Sequence, residues 1–268
     1  MWGGPPEPQP TPPSALIFVR WLSRARGPEL TGASAPPEVV WNFRLATPAL
    51  EWAISSIGYH SLRRHTEALK PAITTGAFEE AARSLQSICS TSYPAQISQA
   101  IDLLVERFSA GNKLLVCGNG GSAADAMHIC AELVGRFFKE RRALPAIALN
   151  TDPTVLTAWS NDYAYESVFA RQVEALAKPG DIVWGISTSG NSKNVVAALK
   201  TARERGASTI ALTGQGGGAM AEYADVLLAV PLSVTPRVQE AHAVTYHIIC
   251  EAVEAALCKT LADAGGSK

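Results

Sequence analysis

From residue 113 onward the chain alternates short apolar runs with longer segments whose apolar residues recur every three or four positions. The runs are KLLVC (113–117), AIAL (146–149), DIVWGIS (181–187), STIALT (208–213) and VLLAV (226–230). None alternates apolar with polar residues, and continuous apolar runs mark strands covered on both faces. Strands separated by helices join through right-handed crossovers into a parallel sheet. The pattern predicts an α/β fold: a doubly wound, five-stranded parallel sheet flanked by helices, closed by a long C-terminal helix over about residues 236–262.

Upstream, SLRRHTEALKPAI (61–73), AFEEAARSLQSIC (77–89) and PAQISQAIDLLVERFSAG (94–111) carry helical spacing, the last ending on Gly111 at a C-cap position. They predict two or three helices as an N-terminal helical extension. Before them, nine of the 17 prolines fall within the first 37 residues. Such a composition supports neither helix nor sheet hydrogen bonding, so residues 1–58 read as a disordered proline-rich segment and residues 59–264 as the folded domain.

Composition narrows the function. The 268 residues are 47% hydrophobic, enough for a real core, and 23 basic against 24 acidic side chains leave no electrostatic footprint for nucleic acid or an anionic membrane. The N-terminal run ALIFV is interrupted by Arg20, too short for a signal-peptide core or a membrane span. Five cysteines without CxxC spacing read as reduced thiols of a cytoplasmic protein. Cys117, at a strand end, is either a buried small hydrophobe or a nucleophile.

Ligands of doubly wound sheets bind where the loops leave the carboxyl ends of the strands. After the first strand comes GNGGSAAD (118–125), and after the third STSGNS (187–192), each leading into a helix. Glycines let the backbone approach a ligand, while hydroxyls and free amides at a helix N-terminus accept an anion without a basic side chain. Either serine alone would be an ordinary helix cap; two such loops at one sheet edge point to a phosphate. Neither is a P-loop or a complete GxGxxG, which disfavours nucleotide readings. A third glycine cluster, GQGGG (214–218), reads as a flexible turn.

Acid–base candidates follow directly. DAMHICAEL puts His128 and Glu132 on one helix face, one turn apart, either as a surface pair or as an acid–base or metal site beside the anion loop. In RVQEAHAVTYHIICEAVE, His242 and His247 diverge by roughly 140°, so at most one faces a given site, while Gln239 and Glu240 lie roughly 80° and 20° from His247. Angle alone leaves open which of them is the partner of His247.

Together, CGNGGS, AMHICAEL, ISTSGNS and RVQEAHAVTYH resemble the SIS (sugar isomerase) domain family, and within it the phosphoheptose isomerases, over about residues 60–260. The resemblance implies a flavodoxin-like sheet. Its implied activity is an aldose–ketose isomerisation of sedoheptulose 7-phosphate to D-glycero-D-manno-heptose 7-phosphate. It also implies substrate contacts at Asn119, Gly120, Gly121, Ser122, Asn161, Asp162, Ser187, Thr188, Ser189, Ser192 and Gln239. His128, Glu132, Gln239 and His247 would hold one zinc ion per site, with Glu132, which also touches substrate, and His247 as the acid–base pair. Arg136 matches a family arginine near the active site. Pro236 stands where relatives often carry an aspartate, so one polar contact is expected to be missing or replaced.

The competing reading is a non-catalytic SIS protein that binds a phosphosugar or a protein partner, of the type associated with the replication initiator, which LPAIALNTD (144–152) resembles. That type lacks the residues found here as Glu132 and His247, which favours an enzyme. The resemblance further implies a homotetramer with a sugar-phosphate substrate, and no nucleic-acid or membrane partner is expected.

Overall fold

A computed structural model of the chain describes residues 59–265, with side chains described from 70 to 258. By compactness the chain divides into Met1–His65 and Thr66–Lys268, and the second unit carries the sheet. The proline-rich stretch 1–58 lies outside the described residues.

All five apolar runs are strands: β1 (Leu114–Gly118), β2 (Ala146–Ala148), β3 (Ile182–Ser187), β4 (Ser208–Thr213) and β5 (Val226–Ala229). They pair in parallel in the order β2-β1-β3-β4-β5. From β1 the chain moves to one side to make β2 and then crosses to the other side for β3. The topological switch point therefore lies between the carboxyl ends of β1 and β3. Their register pairs Gly118 with Ile186, which sets the residue after β1 level with Ser187.

The α-helices among the described residues are α1 (Tyr59–Ile88), α2 (Tyr93–Ser109), α3 (Gly121–Val134), α4 (Pro153–Asp162), α5 (Val168–Leu176), α6 (Lys193–Glu204) and α7 (Thr235–Gly265). Successive strand residues feed opposite faces. Leu114, Val116, Ile182, Trp184 and Ile186 pack with α2, α3 and α7. Leu115, Cys117, Val183 and Ala211 pack with α5 and α6. Each fully buried aliphatic or aromatic side chain contributes about 1.5–3 kcal/mol, so the double cover accounts for the unbroken apolar runs.

Of the two or three helices expected here the structure has two, because segments 61–73 and 77–89 form one helix that continues through Pro71 and Gly76. Proline removes one backbone donor. Because α1 is exposed at most positions from 70 to 87, water meets the lost rung and no packing is disturbed. Pro236 sits in the first turn of α7, where a missing N–H costs nothing.

On one sheet face α3 and α7 lie side by side and run in the same direction. Near their C-terminal ends they are joined through Glu254 of α7, whose carboxylate accepts from the backbone N–H groups of Phe137, Phe138 and Lys139 at 2.8, 2.6 and 2.8 Å. Arg141 completes the joint: its Nε donates to Glu254 Oε1 at 3.0 Å, and its guanidinium reaches the carbonyls of Leu133 and Glu132 at 2.9 and 2.8 Å. Both side chains are only 2% exposed. Burial by itself would push the Glu254 carboxyl up, but three amide donors and Arg141 outweigh it and hold the group below the usual carboxylate range.

Removing one partner of a buried, fully bonded pair costs about 3–5 kcal/mol. Glu254→Gln is expected to lower stability by that order in denaturant unfolding. Because the folded carboxyl titrates below its unfolded value, its contribution is present above the ordinary carboxylate range and is lost as pH falls through the folded value. Accordingly, the difference between wild type and variant should be largest near neutral pH and shrink on acidification.

Candidate active site

At the switch point the two serine-bearing loops face each other and are tied together. Asn119 and Asn194 exchange amide hydrogen bonds: Asn119 Nδ2 donates to Asn194 Oδ1 at 2.8 Å, and Asn194 Nδ2 to Asn119 Oδ1 at 2.9 Å. The hydroxyl of Tyr165 also donates to Asn119 Oδ1, at 2.8 Å, and Asn150 Nδ2 donates to the carbonyl of Gly118 at 2.6 Å. Asn194 is 3% exposed in the first turn of α6, where an amide needs such a partner. Neither Asn194 nor Tyr165 stood out in the sequence; an asparagine two residues past STSGNS was the available signal.

Glycine makes the first loop possible at two points. Gly120 has a φ of +57°, in the left-handed region. A Cβ on Gly121 would fall 2.5 Å from the side-chain nitrogen of Gln239, so the first turn of α3 admits the Gln239 amide only because no side chain is there. Ser122 is buried in the same turn.

In the second loop the hydroxyl of Ser187, at the end of β3, lies 2.9 Å from that of Ser192 and 3.4 Å from that of Ser189, while Ser189 Oγ accepts from the N–H of Asn191 at 3.2 Å. Ser192, the N-cap of α6, makes no capping bond with its side chain. Thr188 is half-buried and Ser189 exposed. Hydroxyls and the free amides of a helix start thus converge, which is how an anion is held without a cation.

The GQGGG cluster, expected to be a flexible turn, braces this loop. Gly214 N–H donates to the Thr188 carbonyl at 3.0 Å, Met220 N–H to the Gly190 carbonyl at 3.0 Å, and a Cβ on Gly190 would fall 2.1 Å from the Gly217 carbonyl. Gly190, Gly216, Gly217 and Gly218 all have positive φ.

Two turns along α3, a second group of polar side chains converges. His128 Nε2 lies 3.0 Å from Glu132 Oε1 and 3.5 Å from His247 Nε2, and ligand atoms of all three lie within 4.8 Å of one another. The two C-terminal histidines face different ways, as their separation of roughly 140° on the helix requires. His242 is fully buried with Nε2 at 3.1 Å from the Thr213 carbonyl, and burial pushes its pKa down to about 4, so it stays neutral inside the core. His247 faces the cluster. Of its two possible neighbours, Glu240 is engaged by Arg237 at 2.7 Å, while Gln239 lies against Gly121 on the crevice side of the cluster. Gln239 forms no hydrogen bond with the other three among the described residues.

Four further candidates sit elsewhere. Asn161 and Asp162, exposed at the end of α4, bond to each other at 2.9 Å. Arg136 is exposed and pairs with Glu140 at 3.1 Å. Cys117 is buried in the sheet, which pushes its thiol up to about 12 and makes it a small core hydrophobe.

A SIS domain family model matches residues 77–214. The chain is 55% identical over 179 residues to a phosphoheptose isomerase from Synechocystis sp., covering 67% of this chain and 92% of that one. The chain belongs to the phosphoheptose isomerase family of SIS domains. A solved phosphoheptose isomerase from Neisseria gonorrhoeae superposes with a TM-score of 0.65 at 42% identity, covering 69% of this chain and 98% of that one. Another, from Francisella tularensis, gives 0.66 at 35% identity with the same coverage of both chains. Family membership agrees with the flavodoxin-like strand order, and the matched residues include both serine loops.

The close approach at Gly190 yields a test. Gly190→Ala meets backbone on both counts, a positive φ and a carbonyl that cannot swing away, so a cost of about 1–3 kcal/mol is expected. Thermal unfolding should show the loss, and a sugar phosphate should protect the variant from unfolding much less than the wild type.

Proposed function

We infer that the chain is an aldose–ketose isomerase that interconverts sedoheptulose 7-phosphate and D-glycero-D-manno-heptose 7-phosphate. The observation that carries this reading is the convergence of Glu132, His128 and His247 on two helices that begin at a serine- and glycine-lined anion crevice, in a chain 55% identical to a phosphoheptose isomerase. The phosphate would sit among Ser187, Thr188, Ser189 and Ser192 and the start of α6. Asn119, Gly120, Gly121, Ser122, Gln239, Asn161 and Asp162 would contact the sugar. From Gly121 to His128 the helix rises about 10 Å, which suits an extended seven-carbon chain whose phosphate lies at one end and whose reacting carbons lie at the other.

The reaction moves one proton from C1 to C2. Glu132 would remove it from C1 as the C1=C2 bond forms and charge collects on the C2 oxygen, and would return it to C2 as the C1 carbonyl forms. His247 would carry the proton that passes from the C1 hydroxyl to the C2 oxygen. Binding of the remote phosphate holds the reacting carbons against these groups.

The donor set fits zinc: two imidazole nitrogens and a carboxylate within one coordination sphere, with Gln239 adjoining. Bound there, zinc would act as a Lewis acid on the sugar oxygens. A carboxylate clamped by a metal is a weaker base, and Glu132 resolves this with two oxygens: Oε1 faces His128 at 3.0 Å, which leaves Oε2 for C1. The binding-only reading is disfavoured by the clustering of Glu132 with His247, which a phosphosugar receptor has no need to retain.

We further propose that residues 59–264 form the functional unit, that it assembles as a homotetramer, and that it works in the cytoplasm; no described helix is long and apolar enough to cross a membrane. Support for assembly comes from an apolar groove of about 510 Å³ between α1, α2 and α7, lined by Leu85, Ile88, Ile97, Val244 and Ile248 among others. Nearby on α1, Ile73 and Phe78 are 66% and 80% exposed.

Purified wild type should convert sedoheptulose 7-phosphate to the aldoheptose phosphate, and Glu132→Gln should lose at least the 10²–10⁴-fold typical of a general base while still binding substrate. A wild type that binds sugar phosphate without converting it, at any zinc concentration, would restore the receptor reading. Light scattering should give about four times the 28.3 kDa chain mass, and Ile248→Asp should shift it to smaller species; a wild type that runs as a monomer rules out the tetramer.

A further inference from the structure

The back of the cluster contains two residues, Asp125 and Tyr246, that lie within the sequence motifs but have been given no part in the reaction. His128 turns Nε2 toward Glu132 and His247, and its other nitrogen, Nδ1, lies 3.1 Å from the hydroxyl of Tyr246. Tyr246 is 3% exposed, and its ring meets that of His128 edge-on at 5.3 Å. Beside the same hydroxyl lies the carboxylate of Asp125, one turn before His128 on α3. Asp125 Oδ2 is buried and accepts no hydrogen bond. Burial pushes the Asp125 carboxyl up, against a smaller opposing effect of His128 and Tyr246.

Proton placement decides what this row can do. A cation held by His128 needs the lone pair of Nε2, so the ring hydrogen must then sit on Nδ1. That hydrogen points at the Tyr246 oxygen, which must accept it. The hydroxyl hydrogen of Tyr246 then needs an acceptor of its own, and the carboxylate of Asp125, one of whose oxygens is buried without a partner, lies beside it. Every donor and acceptor in the row is satisfied in that single direction only, from Nδ1–H to Tyr246 to Asp125.

We propose that Tyr246 and Asp125 are positioning residues that fix the ring hydrogen of His128 on Nδ1 and thereby set how tightly the cluster holds a divalent metal. The inference rests on the metal site proposed above and adds the groups that tune it. Outer partners of metal-bound histidines typically govern affinity by 10–100-fold, and a tyrosine relayed to a carboxylate takes that place here. Tyr246 meets the cluster at His128 Nδ1, so the effect of both residues runs through His128.

The test uses the full-length protein and zinc alone, with affinity measured by competition against a chromophoric chelator. Tyr246→Phe and Asp125→Asn preserve size and packing, and both should leave the melting temperature close to that of the wild type. Each should weaken zinc binding by about tenfold or more, and the double variant should be no more than about twofold weaker than the worse single, because the two act in series. Saturating zinc should restore kcat in both, a recovery that a merely structural defect would not show. Zinc affinities within about twofold of the wild type in both single variants, or losses that multiply in the double variant, overturn the inference while leaving the metal site standing. A wild type that binds no zinc overturns both together.

Discussion

The arrangement depends on two helices being held parallel at a fixed offset along the sheet. At their N-terminal ends the Gln239 amide fills the space left by the missing side chain of Gly121. At the other end the Glu254 carboxylate gathers three consecutive amides of the segment after α3, with Arg141 closing the joint onto the carbonyls of that helix. A slip of one residue along α7 would rotate His247 by about 100° and carry it out of reach of His128. The buried ion pair contributes no side chain to the cluster but acts on it through register.

The crevice is set up differently. Its width comes from backbone contacts and amide pairs rather than from side-chain packing. Gly190 rests on Gly217, Thr188 receives the Gly214 N–H, and Asn119 and Asn194 bridge the loops of β1 and β3. Contacts of this kind tolerate little adjustment, since a carbonyl cannot rotate away as a flexible side chain can. The crevice is accordingly rigid, whereas the histidine cluster is built from longer side chains.

Much of this was legible in the chain. Strands covered on both faces advertise themselves as unbroken apolar runs, and all five were readable for that reason. The serine loops were legible because small and polar residues directly after a buried strand have few structural uses. The i,i+4 pairing of His128 with Glu132 followed from helix geometry, and the 140° rule correctly separated His247 from His242. What stayed hidden was tertiary. That 61–73 and 77–89 run on as one helix through Gly76 could not be read, because the exposure that lets α1 continue is not a property of the local sequence. The GQGGG segment looked slack because its partner, Gly190, is distant in the chain. Tyr246 and Asp125 read as one more aromatic and one more acid until the parallel helices set them behind His128.

The amide bridge between Asn119 and Asn194 has one more implication. Neither side chain gains or loses a proton in water across the range in which imidazoles and carboxylates do, and the glycine contacts that accompany it are backbone to backbone. The shape of the crevice between the two serine loops is therefore indifferent to acidity across that range, whereas the joint at Glu254, which sets the helix register, is not.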